Sequence, residues 1–214
     1  ELSKCKAGRR QMSVSLDEIK KLKELTGVGL TDAKKALVEA GGDFDKALEA
    51  MRKKGLTKAE KRGEREAREG LIESYVHGNR IGVIVELNCE TDFVARTDNF
   101  KSLAHELAMQ IAAMRPKWVS QDDIPEAERT RKREELAASA KADPKNANKP
   151  AEILDKIIDG QLNKYFSELV LLDQTYWKDD SKTIGTLVKE EMAKLGENIV
   201  VRRFARLELG VSED

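Results

Sequence analysis

Reactive side chains are sparse in this sequence, and only one combination of them suggests covalent chemistry. Cys89 could act as a nucleophile if His77 or His105 served as its base and Asp92 oriented the imidazole. However, free cysteine is among the residue types most often buried, and the spacing does not control the distance from either histidine. The sequence contains no glycine-rich phosphate loop and no HExxH or CxxC pattern. We therefore predict that the protein is not an enzyme and uses no cofactor and no metal ion.

The most distinctive stretch surrounds this cysteine. Residues 88–96 read Asn-Cys-Glu-Thr-Asp-Phe-Val-Ala-Arg and lie where a predicted strand ends and a predicted helix is about to begin. Phe93 falls on this connection, where exposure is usual. Its ring is either a local plug of the core or a group that inserts into a partner, and the pattern alone leaves both readings open.

Composition limits the classes of function. Lys plus Arg equals Asp plus Glu at 39 each, so no net field directs the protein to nucleic acid or to an acidic membrane. Charged residues make up 36% and aromatic residues 5%, which favours long solvated helices around a modest core. Cys5 and Cys89 lack disulfide or metal spacing, which favours a reducing compartment such as the cytoplasm. No apolar run approaches the roughly 18 residues needed to cross a bilayer.

Residues 15–54 predict a module of three short helices. Their expected N-caps are Ser15, which forms a capping box with Glu18, then Thr31 and Asp43. Apolar residues at helical spacing are predicted to face inward: Leu16, Ile19, Leu22, Leu25, Ala33, Ala36, Leu37, Ala40, Phe44, Ala47, Leu48 and Met51.

Three short helices joined by glycine-containing turns resemble the ubiquitin-associated type of helical module. A module of this size is near the lower limit for independent folding, and it offers no acid, base or metal cluster, so we expect it to make contacts. Leu30 is either the apolar staple of the second helix or a contact residue. Residues 1–14 show no periodicity and are interpreted as an extension, and the charged residues 55–70 predict a solvated linker helix.

Residues 71–214 predict an α+β core domain. Residues 71–77 and 81–88 flank a Gly-Asn turn and predict a hairpin, and residues 198–209 predict the third strand of an antiparallel sheet. One face of that third strand should carry Val201, Arg203, Ala205, Leu207 and Leu209. A helix capped by Thr97 should lie on the sheet through Phe100, Leu103, Ala104, Leu107, Ala108, Ile111 and Ala112.

An insertion separates these core elements. Residues 126–169 predict two helices joined by a Pro- and Asn-rich turn, folded back as an antiparallel coiled-coil hairpin. The hairpin should project from the core because its first helix is too polar to be buried. A short helix at residues 184–195, ended by Gly196, returns the chain to the core.

Four ordered segments resemble bacterial elongation factor Ts, the nucleotide exchange factor of elongation factor Tu. These segments are residues 25–30 with 32–37, 78–83, 86–96 and 196–203. The resemblance extends along almost all of residues 14–210, and four matches in order at the family spacing are highly specific.

The resemblance implies a guanine-nucleotide exchange factor that acts in translation elongation. It assigns one partner-binding segment near the magnesium site of elongation factor Tu: Thr91, Asp92, Phe93 and Val94. Phe93 would insert between partner helices with Asp92 beside it, so that the Mg²⁺ ligands and the phosphate site loosen and GDP leaves. A second set would dock on the GTPase domain of the partner: Val28, Gly29 and Leu30.

The chain looks like the short form of the family, because only one copy of the core hairpin and one helical insert are present. The resemblance therefore implies a homodimer, in which two chains supply what the long form holds in one. It also implies a bacterial cytoplasm or an organelle of bacterial ancestry, with no direct contact to nucleic acid or membrane. A helical protein-binding module without exchange activity stays open as an alternative.

Overall fold

The computed structural model describes residues 15–26, 29–143, 146 and 149–211. Its described part is an α+β protein whose main sheet is three-stranded, as predicted. The helices are α1 (Leu16–Thr26), α2 (Leu30–Glu39), α3 (Phe44–Arg62), α4 (Asp92–Ala95), α5 (Asp98–Met114), α6 (Glu126–Ala142), α7 (Ala151–Leu169) and α8 (Ile184–Leu195). The strands are β1 (Glu69–His77), β2 (Ile81–Cys89), β3 (Thr175–Tyr176), β4 (Asp179–Thr183) and β5 (Ile199–Glu208).

Helices α1 to α3 pack around a small apolar cluster of their own. Most residues predicted to face inward are buried or partly buried there: Ile19, Leu22, Ala33, Ala36, Leu37, Ala40, Phe44, Ala47, Leu48 and Met51. Leu16 and Leu25 are exposed instead, so their prediction was wrong. Residues three apart drift by about 60° around a helix of 3.6 residues per turn, so the two outer members of the series leave the buried face. Likeness to a ubiquitin-associated module stays a prediction.

The start of α1 confirms its predicted cap, but the start of α2 does not. The Ser15 N–H donates to Glu18 Oε2 at 3.2 Å. Thr31 was predicted to cap α2, yet that helix already begins at Leu30 with Gly29 as its N-cap. Gly29 has extended backbone angles, φ −66° and ψ 152°, which allow a helix to start without a side-chain cap.

Helix α3 begins after Asp43, whose carboxylate accepts a hydrogen bond from the Lys46 N–H at 3.1 Å, as predicted for a cap. The helix then continues to Arg62 without a break, so the division between residues 54 and 55 stays a prediction. At its end the Arg62 guanidinium donates to the Met192 carbonyl at 2.9 Å. This bond joins the N-terminal module to α8 of the core.

The sheet has the order β1-β2-β5 with antiparallel pairing throughout, which confirms the predicted hairpin and third strand. Helix α5 starts at the predicted Thr97 cap and covers one face of the sheet. All of the residues predicted for its apolar stripe are buried. Helix α8 also has the predicted bounds and packs into the same core.

Strand β5 changes face partway along its length. The register shifts between Glu86 and Leu87 of β2, because Leu87 pairs with Val201 while Glu86 pairs with Arg203. Residue 202 is therefore an extra residue, a β-bulge, and each residue after it is turned to the other face. Val201 is buried in the core, and after the bulge Phe204, not Arg203, packs against the same core. The predicted alternation was wrong from Arg203 onward for this reason.

Helices α6 and α7 lie side by side and run antiparallel. Arg133 Nη1 lies 2.5 Å from Asp159 Oδ1, and Lys132 Nζ lies 4.3 Å from the centre of the Tyr165 ring. A supercoil between the two helices stays a prediction. Strands β3 and β4 form a separate two-stranded ribbon that the sequence did not reveal, since Asp179–Thr183 is mostly polar.

Among the described helices, none combines the length and the apolar character that crossing a lipid bilayer requires.

Candidate partner-binding site

Residues 91–94, which we call the tip, form a sharp connection between sheet and helix. Strand β2 ends at Cys89, and α4 is a single turn. Thr91 is the N-cap of that turn, because its hydroxyl accepts a hydrogen bond from the Val94 N–H at 3.4 Å. A helix of one turn has no stability of its own, so the tip depends on contacts with the rest of the core.

Phe93 points out of the protein. Its exposed fraction is 78%, whereas Val94 and Ala95, the next residues of the same turn, pack into the core. The structure therefore excludes the reading of Phe93 as a core plug. The exposed ring of Phe93 leaves a large apolar surface available for a partner.

Asp92 also lies on the surface of the tip. Its Oδ2 atom is 2.8 Å from Arg96 Nη2, four residues further along, and both side chains are well exposed. An exposed ion pair of this kind contributes little to stability. Asp92 is thus able to exchange Arg96 for another cationic partner at small cost.

Glu197 holds the base of the tip, although no sequence pattern singled it out. Its carboxylate accepts hydrogen bonds from the Glu90 N–H at 3.1 Å, the Thr91 N–H at 3.0 Å and the Thr91 hydroxyl at 2.6 Å. Its partners are more than 100 residues earlier in the chain, and local spacing carries no signal of such a contact. The only sequence signal is that residues 196–203 belong to the segments that resemble the family.

Cys89 lies beneath the tip and is fully buried. Its thiol donates a hydrogen bond to the Thr91 carbonyl at 3.1 Å. Burial in the apolar core, and secondly the negative charge of Glu197, raise the pKa of Cys89 to about 11. The thiol therefore stays protonated at neutral pH and supports the backbone of the tip.

The two histidines lie away from this cysteine. Cys89 pairs with Glu69, the first residue of β1, while His77 is the last residue of the same strand. Eight residues of extended strand separate them by about 26 Å. His105 Nδ1 instead lies 2.9 Å from Glu73 Oε1, on the middle of β1. This arrangement, together with the buried thiol, contradicts a cysteine nucleophile with a histidine base.

The predicted contact residues of the N-terminal module are only partly described. Val28 lies outside the described residues. Gly29 precedes α2 as its N-cap, and Leu30, the first residue of α2, is half exposed and does not belong to the apolar cluster of the module. Leu30 is therefore available for a contact, as one of its two readings expected.

Hydrogen bonds join the segment after α3 to the base of the tip. The Asn198 side-chain amide donates to the Arg65 carbonyl at 2.6 Å, and the Asn198 N–H donates to Glu90 Oε1 at 2.6 Å. Arg65 Nη1 lies 3.5 Å from the same Glu90 oxygen. The chain that leaves the N-terminal module is thereby attached to the residue that precedes Thr91.

The face of the main sheet opposite α5, which we call the outer sheet face, combines exposed apolar residues with the Glu86–Arg203 ion pair. It carries residues from all three strands: Ile72, Val76, Ile84 and Leu207. No group of three or more His, Cys, Asp or Glu side chains suited to a metal ion occurs within the described ranges.

Comparison with known proteins gives one consistent family. The sequence model of the family described as "Elongation factor TS" matches residues 20–211. Elongation factor Ts of Herpetosiphon aurantiacus is 50% identical over 93% of this chain and 99% of its own length. The Thermotoga petrophila protein of the same name is 52% identical over 93% of this chain and 98% of its own length. The Thermodesulfovibrio yellowstonii protein, also an elongation factor Ts, is 46% identical over 95% and 100% of the two chains.

Proposed function

The chain belongs to the elongation factor Ts family, and from this premise we propose that it promotes the release of GDP from elongation factor Tu. Membership in the family makes it a translation elongation factor. The exchange activity and the identity of the partner follow from the resemblance of its segments to the family, and the tip is the part of this chain that would perform the exchange.

The observation that supports this proposal best is the exposure of Phe93. Phe93 has 78% of its surface in water, and a partner that covered the ring would gain the free energy of burying this apolar area. Val94 and Ala95, which follow Phe93, pack into the core, and Thr91, the N-cap of its turn, is bonded to Glu197, so the ring is presented in a defined direction. Aromatic side chains that become buried when a complex forms supply much of the binding energy at protein interfaces.

We propose that Phe93 inserts between helices of elongation factor Tu, with the Asp92 carboxylate beside it. Displacement of those helices would weaken the coordination of the Mg²⁺ ion that accompanies the phosphates of GDP. Because that ion neutralises phosphate charge, a weaker coordination removes a large part of the nucleotide affinity. No covalent bond is made or broken by this chain.

The coupling between the two ligands is reciprocal. If the factor lowers the affinity of the partner for GDP by some ratio, GDP lowers the affinity for the factor by the same ratio. An excess of GTP would then occupy the emptied site and displace the factor, so that it acts repeatedly. Val28, Gly29 and Leu30 would meanwhile dock the N-terminal module on the GTPase domain.

The test is the release of a fluorescent GDP analogue from purified elongation factor Tu. We expect Phe93→Ala to lower the stimulated release rate by about 30-fold, the effect of losing an anchor worth about 2 kcal/mol. Trp177→Ala, which removes another exposed aromatic ring, is the matched control and should retain the wild-type rate. Release at the wild-type rate by Phe93→Ala would refute insertion. Wild-type protein that binds without accelerating release would favour the binding-module alternative.

We further propose that two copies of the chain associate through the outer sheet face. All three strands contribute apolar side chains to this face, and each of these side chains is more than half exposed. In a dimer with a two-fold axis, each chain contributes the same patch, so one apolar face is buried on both chains. Such a dimer would bring together two copies of the single core that this chain contains. Analytical ultracentrifugation at micromolar concentration should show a dimer, and Ile84→Glu should convert it to a monomer. A wild-type monomer, alone and with the partner, would refute the dimer.

The bacterial relatives and the buried, unpaired thiol of Cys89 both suit a bacterial cytoplasm, which we propose as the location.

A further inference from the structure

Glu197 occupies the connection between α8 and β5. Helix α8 ends at Leu195, and Gly196 follows in the left-handed region with φ 82°, which a residue with a side chain rarely adopts. This reversal brings the next residue beside the end of β2. Its carboxylate there receives the three hydrogen bonds from Glu90 and Thr91 described above.

These bonds act on the cap rather than on the exposed ring. The Thr91 hydroxyl donates to Glu197 Oε1 and accepts from the Val94 N–H, so one side chain ties the single turn of α4 to the connection between α8 and β5. Without Glu197, the cap would be fixed only by its own neighbours in sequence. Hydrogen bonds to an ionised carboxylate are about twice as strong as those between neutral groups.

The arrangement is reciprocal. The Glu197 side chain binds the backbone of residues 90–91, while the Glu90 side chain accepts the Asn198 N–H. Asn198 is almost completely buried and also binds the carbonyls of Gly63 and Arg65. Two strand ends and the segment that follows α3 are thereby held together at the base of the tip.

We infer that Glu197 is a positioning residue for the tip, which fixes the direction in which Phe93 is presented. The inference rests on the proposed function for its consequence, but its structural content is a property of the free protein. Glu197 is not expected to touch the nucleotide. It acts through Thr91, and a displacement of about 1 Å at a reacting group can lower a rate by up to about 100-fold.

The first test compares Glu197→Ala with Glu208→Ala. Glu208 is the matched control, because it lies at the opposite end of β5 and its carboxylate binds Arg115 and Arg206 instead of the tip. Backbone amide exchange of the free proteins is measured by NMR. In Glu197→Ala the protection of the Glu90 and Thr91 amides should fall by at least about tenfold, as expected for loss of bonds to a charged group. In Glu208→Ala the protection of both amides should be unchanged.

The second test uses the GDP-release assay to distinguish an effect on the orientation of Phe93 from an effect on binding of the partner. The maximal release rate of Glu197→Ala should fall by about tenfold, whereas the concentration giving half-maximal rate should change by less than about threefold. Glu197→Gln should recover most of the loss, because its amide oxygen can accept both backbone N–H groups. If Glu197→Ala does not fold, Glu197→Gln should still show a smaller loss of amide protection, of about threefold.

Wild-type protection of the Glu90 and Thr91 amides in both Glu197 variants would overturn the inference, as would a change confined to the half-maximal concentration. A wild-type protein that fails to accelerate GDP release would instead refute the proposed function. In that case the amide exchange measurements would still decide whether Glu197 fixes the tip.

Discussion

The tip and the start of α2 are both expected to meet a partner, yet they are held in different ways. The N-cap of α4 is Thr91, whose hydroxyl bonds both to the helix and to Glu197 in the distant connection between α8 and β5. The N-cap of α2 is Gly29, which makes no side-chain cap bond. The tip is thus fixed by the tertiary structure, and the start of α2 by its local backbone.

This difference suits two kinds of contact. A side chain that must enter a partner loses less free energy on binding when its direction is fixed beforehand, because the ordering cost is already met in the free protein. A docking surface gains from adjusting to its partner. We therefore expect substitutions at the tip to change the stability of the core and the maximal exchange rate. Substitutions near Gly29 should change mainly the stability of the N-terminal module and its affinity for the partner.

The largest contrast should come from the two threonines. Thr91→Val keeps the side-chain volume but removes the cap and the donor to Glu197, so the free energy of unfolding of the core should fall by about 1–3 kcal/mol. Chemical denaturation followed by tryptophan fluorescence measures this, since Trp118 and Trp177 both lie outside the N-terminal module. Thr31→Val is the control, because Thr31 lies within α2, and circular dichroism should show a change below about 0.5 kcal/mol. Equal losses of stability in Thr91→Val and Thr31→Val would contradict the difference proposed between the tip and the start of α2.

The base of the tip should also respond to pH. Because burial raises the pKa of Cys89 to about 11 from an ordinary value of 9.0, the folded protein retains this proton where the unfolded chain loses it. The stability contributed by the protonated thiol is complete below pH 9 and is lost as the pH rises through 11. Between pH 8 and 10 the free energy of unfolding of the wild type should fall by about 1 kcal/mol more than that of Cys89→Ala. Parallel pH profiles of the two proteins would show that the thiol does not titrate in this way.

The smallest effect should come from giving α2 a side-chain cap like that of the tip. Gly29→Ser places a hydroxyl at the N-cap, in extended backbone and with no atom within 4 Å of the new Cβ. The melting of the N-terminal module, followed by circular dichroism, should then be stabilised by about 0.5 kcal/mol. Gly41→Ser should instead destabilise it by about 1 kcal/mol, because Gly41 has a φ of 67°. A loss of stability in Gly29→Ser would mean that this cap is already optimal.

Local patterns predicted most of the elements. The apolar stripe of α5 follows helical spacing without interruption, and each of its predicted residues is buried. The hairpin of β1 and β2 was evident because a Gly-Asn turn separates two runs with a period of two residues. Patterns of this length predict structure well, since the side chains of one face recur at a fixed spacing.

The failures have local physical reasons as well. Leu16 and Leu25 lie at the ends of a series with a spacing of three, which drifts off the buried face of α1. The face of β5 after Val201 could not be predicted, because a bulge depends on the pairing with β2 and leaves no mark in the alternation. The ribbon of β3 and β4 was missed because it is short and polar.

By itself, the sequence determined the family, the order of the longer helices and of the three strands of the main sheet, and the location of Phe93 after β2. Only the tertiary structure decided that Phe93 is exposed, that Cys89 is buried away from His77 and His105, and that Glu197 holds Thr91. The reason is physical: periodicity and capping act between residues within one or two turns of each other. The direction of the tip depends on a carboxylate more than 100 residues away, which only the folded chain brings into contact.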